Sequence, residues 1–151
     1  MNPYLFRTVD FGVFIIANAI NLLLAVMFVA RARRADKVER ITGLLIVAMA
    51  LPLAAASILN AFGHRSGWTW GLPLVMVVFC VVEYLVDYAL KINFRGRRPM
   101  KPYLLLFYLA LMAMIGYSFL LGKTYGYVTL ATYFLHMAAT AYSYGRVKHG
   151  V

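Results

Sequence analysis

Long runs of apolar residues, separated by short polar stretches, dominate this sequence. Each run is close to the ~20 residues that a helix needs to cross about 30 Å of hydrocarbon. The runs lack the strict alternation of apolar and polar positions that marks the strands of a membrane barrel. They predict an all-α polytopic membrane protein with a single domain over residues 1–151. Its bundle of five transmembrane helices has spans at about 9–30, 41–62, 70–90, 103–121 and 125–142.

Two of these runs contain residues that disturb a regular apolar helix. The second includes Pro52, which predicts a bend because proline removes a backbone donor and crowds the preceding turn. The fifth is the least apolar run. Its polar residues are spaced three or four positions apart, so they share one stripe of a helix; they are Thr129, Thr132, His136, Thr140 and Ser143.

Lys and Arg are divided unequally among the connecting segments. Five lie between the first and second runs, five between the third and fourth, and two near the C-terminus, so twelve of the fifteen share one side of a five-span protein. Because cytoplasmic segments are enriched in Lys and Arg, the N-terminus is predicted outside and the C-terminus in the cytoplasm. The alternation requires five spans, which supports including the weak fifth run. We therefore predict a multi-pass protein of the cell (inner) membrane.

Composition supports the membrane class and narrows the chemistry. Hydrophobic residues make up 64% of the chain and charged residues 13%, whereas soluble domains have about 25% charged residues. The net charge of +10 comes from short loops and is interpreted as a signal for orientation and lipid contact, with no nucleic-acid partner. The single cysteine, Cys80, excludes an intrachain disulfide. We predict neither a metal nor a cofactor, and contact with anionic lipid headgroups through Arg95, Arg97, Arg98 and Lys101.

Five polar side chains within the spans form a candidate intramembrane site, namely Glu83, His136, Asn21, Asn18 and Asp87. Asn21, Glu83 and His136 each lie about a dozen residues, or ~18 Å, from the start of their spans. Because a carboxyl group at that depth needs a partner, Glu83 and His136 are predicted to bond, directly or through one water, near Asn18 or Asn21. In the alternative interpretation, the hydroxyl and amide groups only join helices, and Asp87 pairs with a cation of the nearby loop.

These features predict a function only in outline. The first hypothesis is a small channel or transporter, homo-oligomeric, that uses the polar site around Glu83 and His136. The second is a non-catalytic subunit or assembly factor whose apolar surface binds partner membrane subunits. A membrane enzyme acting on a lipid-soluble substrate is less favoured, because the sequence contains no recognisable catalytic motif.

Overall fold

The computed structural model of the protein describes residues 3–90 and 100–148. All regular structure in these residues is helical, as the sequence predicted. A π-helical segment, Tyr84–Ala89, continues α4. The α-helices are α1 (Pro3–Ala32), α2 (Asp36–Ala48), α3 (Ala50–Phe62), α4 (Gly67–Glu83), α5 (Met100–Leu121) and α6 (Lys123–Lys148).

Four helical stretches among the described residues are long and apolar enough to cross a membrane. They are Tyr4–Ala32 (29 residues), Asp36–Phe62 (27 residues), Gly67–Ala89 (23 residues) and Met100–Leu121 (22 residues). These stretches correspond to the first four predicted spans. The fifth predicted span lies in α6. This helix has 26 residues, which is long enough to cross, but it is less apolar than the other four stretches. The chain thus has the helices of a multi-pass membrane protein, and the fifth crossing stays a prediction.

The second membrane-length stretch is interrupted at Met49, between α2 and α3. Pro52 has no N–H to donate to the carbonyl of Ala48, so the regular hydrogen-bond ladder cannot continue there. The Met49 amide keeps its helical hydrogen bond to the carbonyl of Leu45, at 3.2 Å, and shares it with the carbonyl of Ile46, at 3.1 Å. The helix is thus interrupted about one turn before Pro52, whereas the bend predicted from the proline stays a prediction.

The helices form a closed ring. α1 packs against α2, α3 against α4, α4 against α5, and α5 against α6, and α6 returns to make the most extensive contact with α1. As a result, α5 separates α4 from α6. This order decides which of the polar side chains in the spans can meet.

An apolar core fills the ring. On α1, the side chains of Val13, Ala17, Ile20 and Leu24 are buried, at helical spacings of four, three and four residues. The helices opposite contribute Leu53, Met76, Cys80, Ala110, Met114 and Tyr117. Small residues such as Ala17 permit close helix approach, which matters in lipid because van der Waals contact drives helix association there.

α1 and α6 run side by side in the same direction. Gly122, with φ of +148°, forms the tight turn that reverses the chain between α5 and α6. Phe14 packs edge-on against Tyr125, and Asn18 bonds to Thr129, a residue 111 positions later in the chain. Both contacts have the same offset, so the two helices keep one register along their common length.

Candidate functional site

A cavity of about 480 Å³ lies between α1, α2, α4, α5 and α6. It occupies the end of the bundle where α1 and the π segment end and α5 begins, which is the end predicted to face the cytoplasm. Six aromatic side chains line it: Phe28, Phe79, Tyr103, Phe107, Tyr108 and Tyr144. Its polar side chains are Arg31, Glu83, Asp87, Thr140 and Ser143. Two of the predicted site residues, Glu83 and Asp87, therefore share this cavity.

Glu83 is half-buried in the cavity wall, at the end of α4. Its carboxylate oxygen Oε2 accepts a hydrogen bond from the hydroxyl of Tyr103, in the first turns of α5. The Tyr103 ring also packs against Phe79 of α4, with ring centroids 5.9 Å apart. A hydrogen bond to a carboxylate is among the stronger kinds. It fixes the position of Glu83 between two neighbouring helices.

The π-helical segment forms one edge of this cavity and carries Asp87. Its wider turn is closed by the amide of Leu90, which donates to the carbonyl of Leu85 at 2.8 Å. Tyr88 fastens the segment to α2, because its hydroxyl donates to the Arg40 carbonyl at 3.4 Å and rests against Gly43, where a Cβ atom would clash with it. π-helical turns are rare and are frequent at functional sites.

Asn18 and Asn21 belong to a separate polar network between α1 and α6. The Asn18 amide donates to the Thr129 hydroxyl at 3.2 Å and accepts from Thr132 at 2.9 Å, while the Asn21 amide donates to Thr132 at 3.0 Å. Thr129 continues the network to Ser118 of α5 at 2.9 Å. These hydrogen bonds join three helices. The alternative interpretation, in which the hydroxyl groups on the polar stripe of α6 join helices, is confirmed at Thr129 and Thr132.

His136 lies on the same stripe of α6 but makes different contacts. Its side chain is fully buried and packs against the rings of Phe28, Phe107 and Tyr133, with centroids 5.5, 5.9 and 6.0 Å away. Neither ring nitrogen has a hydrogen-bond partner within the described part of the chain. Phe28 and Phe107 also line the cavity. His136 therefore sits behind the aromatic wall that Glu83 faces.

The prediction that Glu83 and His136 bond to each other is wrong in its direct form, because neither ring nitrogen of His136 has a partner among the described residues; a bridge through one water stays a prediction. The two residues lie on α4 and α6, which are separated by α5, so Glu83 bonds to Tyr103 of α5 instead. Asn18 and Asn21 likewise bond to threonines and not to either ionisable group. A similar depth in the bundle does not bring side chains together when their helices are not neighbours.

A second cluster of charged residues, which the sequence reasoning missed, lies at the opposite end of the bundle. Arg65, in the turn after α3, holds the carboxylate of Asp10 of α1 with two hydrogen bonds of 2.6 and 2.9 Å. The Tyr117 hydroxyl of α5 donates to the same carboxylate at 2.7 Å. Arg65 also donates to Asn60 at 2.8 Å and lies over the ring of Phe6.

This outer cluster ties three helices and one turn together. The hydrogen bond to Asp10 is the main cause that raises the pKa of Arg65 above its ordinary value, so the guanidinium stays charged. One feature of the sequence could have identified the pair. Asp10 is the only acidic residue near the predicted outer face, and Arg65 is one of only three basic residues there.

At the cavity end, Arg31 pairs with Glu39 at 2.7 Å and so joins α1 to α2. The predicted lipid contacts Arg95, Arg97 and Arg98 lie outside the described residues, whereas Lys101 is exposed in the first turn of α5. In residues 3–90 and 100–148, no three His, Cys, Asp or Glu side chains converge as a metal site would require. The lipid contact stays a prediction.

Comparison with known proteins gives no relative from which a function could be transferred. No family model matches the sequence, and neither the curated proteins nor the solved structures include a significant match to this chain. What the protein does must therefore be inferred from its own residues.

Proposed function

We propose that the protein is a small membrane transporter of five crossings that binds an amphipathic small molecule in the cavity lined by Glu83. The observation that carries this proposal is the cavity itself. Its volume of about 480 Å³ lies in the usual range for ligand sites of about 300–1,000 Å³. An aromatic and aliphatic wall with a few polar groups is also what such sites have in common.

The partnership of α6 with α1 supports the fifth crossing. Because α6 runs beside α1 in one register, it covers the same depth as a helix that is apolar enough to cross. Its residues Thr129, His136 and Ser143 are buried, so these polar groups are kept away from lipid. The distribution of Lys and Arg then gives an external N-terminus and a cytoplasmic C-terminus in the cell (inner) membrane.

Two irregular helices beside the cavity favour a transporter. Transporter sites are commonly formed where membrane helices are interrupted, since freed backbone groups line a cavity there. Ile46 and Gly43 line the cavity just before the interruption at Met49, and Asp87 lies in the π segment on the facing helix. Both irregularities thus adjoin one cavity wall.

A transporter is favoured over a channel because the cavity ends within the bundle. The rings of Phe28 and Phe107 cover His136, and the Asn18 network behind them is fully bonded between helices. At the outer end, the cluster around Asp10 joins α1, α5 and the turn that holds Arg65. A carrier that opens to one side at a time needs such closure at the other end.

A pair of neighbouring tryptophan substitutions tests this proposal. Leu104→Trp places a large ring in the cavity, whereas Leu105→Trp adds the same ring at the next residue, whose side chain is 63% exposed and outside the cavity wall. We expect native mass spectrometry of the protein, extracted in nanodiscs from its host membrane, to detect a bound small molecule in the wild type and in Leu105→Trp. The adduct should be lost in Leu104→Trp. Absence of any adduct from the wild type, or equal adducts in both variants, would refute a cavity ligand.

A second candidate function is that of a non-catalytic subunit of a larger membrane complex. A shallow groove between α1 and α6 favours it, because small residues on both helices line the groove and permit close approach of a partner helix. These residues are Ala25, Ala30, Ala138 and Ala139. Co-purification of partner subunits in fixed ratio, abolished by Ala138→Trp, would support this function.

A further inference from the structure

Among the described residues, two side chains have buried polar atoms without a hydrogen-bond partner, Ser57 and His136, and His136 packs against rings that line the cavity. Its imidazole is fully buried, and both ring nitrogens lack a hydrogen-bond partner among the described residues. In a neutral imidazole one nitrogen donates and the other accepts. Leaving such a group buried without a partner is unfavourable, and buried polar groups without partners are uncommon in folded proteins.

The surroundings of His136 offer apolar contacts and no hydrogen bond. Phe28 of α1, Phe107 of α5 and Tyr133 of α6 form an aromatic enclosure around the imidazole. The hydroxyl of Thr140, one turn later on α6, donates to the backbone carbonyl of His136 at 3.0 Å and does not serve the ring. An apolar residue would fill such an enclosure without an unsatisfied group.

The enclosure and the cavity share two walls. Phe28 and Phe107 both line the cavity on one side and contact the imidazole on the other. Thr140, one turn after His136 on the same stripe of α6, lines the cavity directly. His136 and the cavity are therefore adjacent, with Phe28 and Phe107 in contact with both.

Building on the proposed transport function, we propose that His136 is the hydrogen-bonding contact for the ligand of this cavity, and that the ligand is an aromatic, lipid-soluble molecule carrying a hydroxyl or carbonyl oxygen. The imidazole can donate to a carbonyl or accept from a hydroxyl. The other end of such a ligand lies against the aromatic side chains of the cavity, whose rings favour offset or edge-on contact with another ring. A phenol or quinone ring has this chemistry.

Two probes of nearly the same shape test the hydrogen bond. 2-Naphthol carries a hydroxyl where 2-methylnaphthalene carries a methyl group, so both fit the same apolar space. We expect the wild type in nanodiscs to bind 2-naphthol about tenfold more tightly than 2-methylnaphthalene, because only the hydroxyl gives His136 a partner. The apparent Kd follows from the rise of the thermal unfolding midpoint with probe concentration, with protein-free nanodiscs correcting for partition into lipid.

Two variants of His136 separate a binding role from a structural role. His136→Leu has a similar volume and no polar atom, so it should unfold at a temperature equal to or above that of the wild type without probe, and should lose the preference for 2-naphthol. His136→Gln keeps a donor and an acceptor and should retain part of the preference. A preference unchanged in His136→Leu would overturn the assignment, as would a markedly lower unfolding temperature of that variant without probe.

The outcomes also separate this inference from the transporter proposal. If neither probe stabilises the wild type, or if Leu104→Trp does not weaken either probe, the cavity does not bind small aromatic molecules and the inference about His136 fails, whereas the transporter proposal is decided by the native mass spectrometry of the wild type and its two tryptophan variants. If both probes bind equally and Leu104→Trp abolishes both, the cavity is a ligand site, and only the role of His136 is refuted.

Discussion

Replacing Asp10 by Asn should destabilise the protein more than its position near a helix end suggests. The substitution keeps the shape of the side chain but removes the charge that Arg65 and Tyr117 share. Exposed ion pairs contribute about 0–1 kcal/mol, whereas breaking a buried pair costs about 3–5 kcal/mol. The side chains of Asp10 and Arg65 are 16% and 24% exposed, so we expect a loss between these limits, about 2 kcal/mol.

The assay is thermal unfolding of the detergent-solubilised protein, in which about 2 kcal/mol corresponds to a lower midpoint by about 4–8 °C. Asp36→Asn, at an exposed acidic residue in the first turn of α2, serves as the matched control and should shift the midpoint far less. A double-mutant cycle with Arg65→Gln should give a coupling of about 1–2 kcal/mol. Because the pKa of Arg65 is raised, its contribution should be fully present at every pH below its ordinary pKa and be lost only as the pH rises through the raised pKa. A shift equal to that of Asp36→Asn, or a coupling near zero, would refute this account of the outer cluster.

Three further predictions concern other parts of the molecule. Gly43→Ala should lower the unfolding midpoint, because the new methyl group would collide with the Tyr88 hydroxyl. At Gly12 a methyl group meets open space, so Gly12→Ala should stabilise α1 by about 0.5–1 kcal/mol, and equal midpoints of the two variants would contradict this. In a cysteine-free background, a cysteine introduced beside Arg97 should react with a membrane-impermeant reagent only from the cytoplasm, and a cysteine beside Lys123 only from outside. Labelling of both positions from one side would refute the fifth crossing. Neutralising the four basic residues Arg95, Arg97, Arg98 and Lys101 should weaken the preference of the protein for anionic lipid vesicles by about 1 kcal/mol per charge near the surface, and should reduce the salt dependence of that preference. An unchanged preference would count against lipid contact by these residues.

The positions of the helices could be predicted from the sequence because membrane spans leave a simple pattern. Runs of about 20 apolar residues have few structural alternatives in hydrocarbon, and each predicted span falls on a helix among the described residues. Pro52 was equally informative, because its nitrogen has no hydrogen to donate to the backbone carbonyl four residues earlier in the helix. The π segment was not predicted. An extra residue in one turn leaves no sequence signal comparable to a proline.

The partners of the polar side chains could be predicted only in part. Counting residues along each span gives depth, and Asn21, Glu83 and His136 do have similar depth by that measure. Depth does not give the order of helices around the ring, and with α5 between α4 and α6 the two ionisable groups contact different residues. The polar stripe of α6 predicted contacts better than depth did. Helical spacing alone places Thr129 and Thr132 on one face of this helix, and both bond to α1.

The two ends of the bundle carry different polar features. At the end predicted to face outside, Asp10, Arg65 and Asn60 bond to one another or to neighbouring helices, while the buried hydroxyl of Ser57 in α3 has no partner among the described residues. Toward the other end, a cavity and a π-helical turn occur together with a buried imidazole that has no hydrogen-bond partner in residues 3–90 and 100–148. Native folds avoid such features except where a function requires them, because each one lowers stability. The occurrence of three such features in one half of a small bundle is the reason why the proposed ligand site is placed in the half that contains Glu83 and His136.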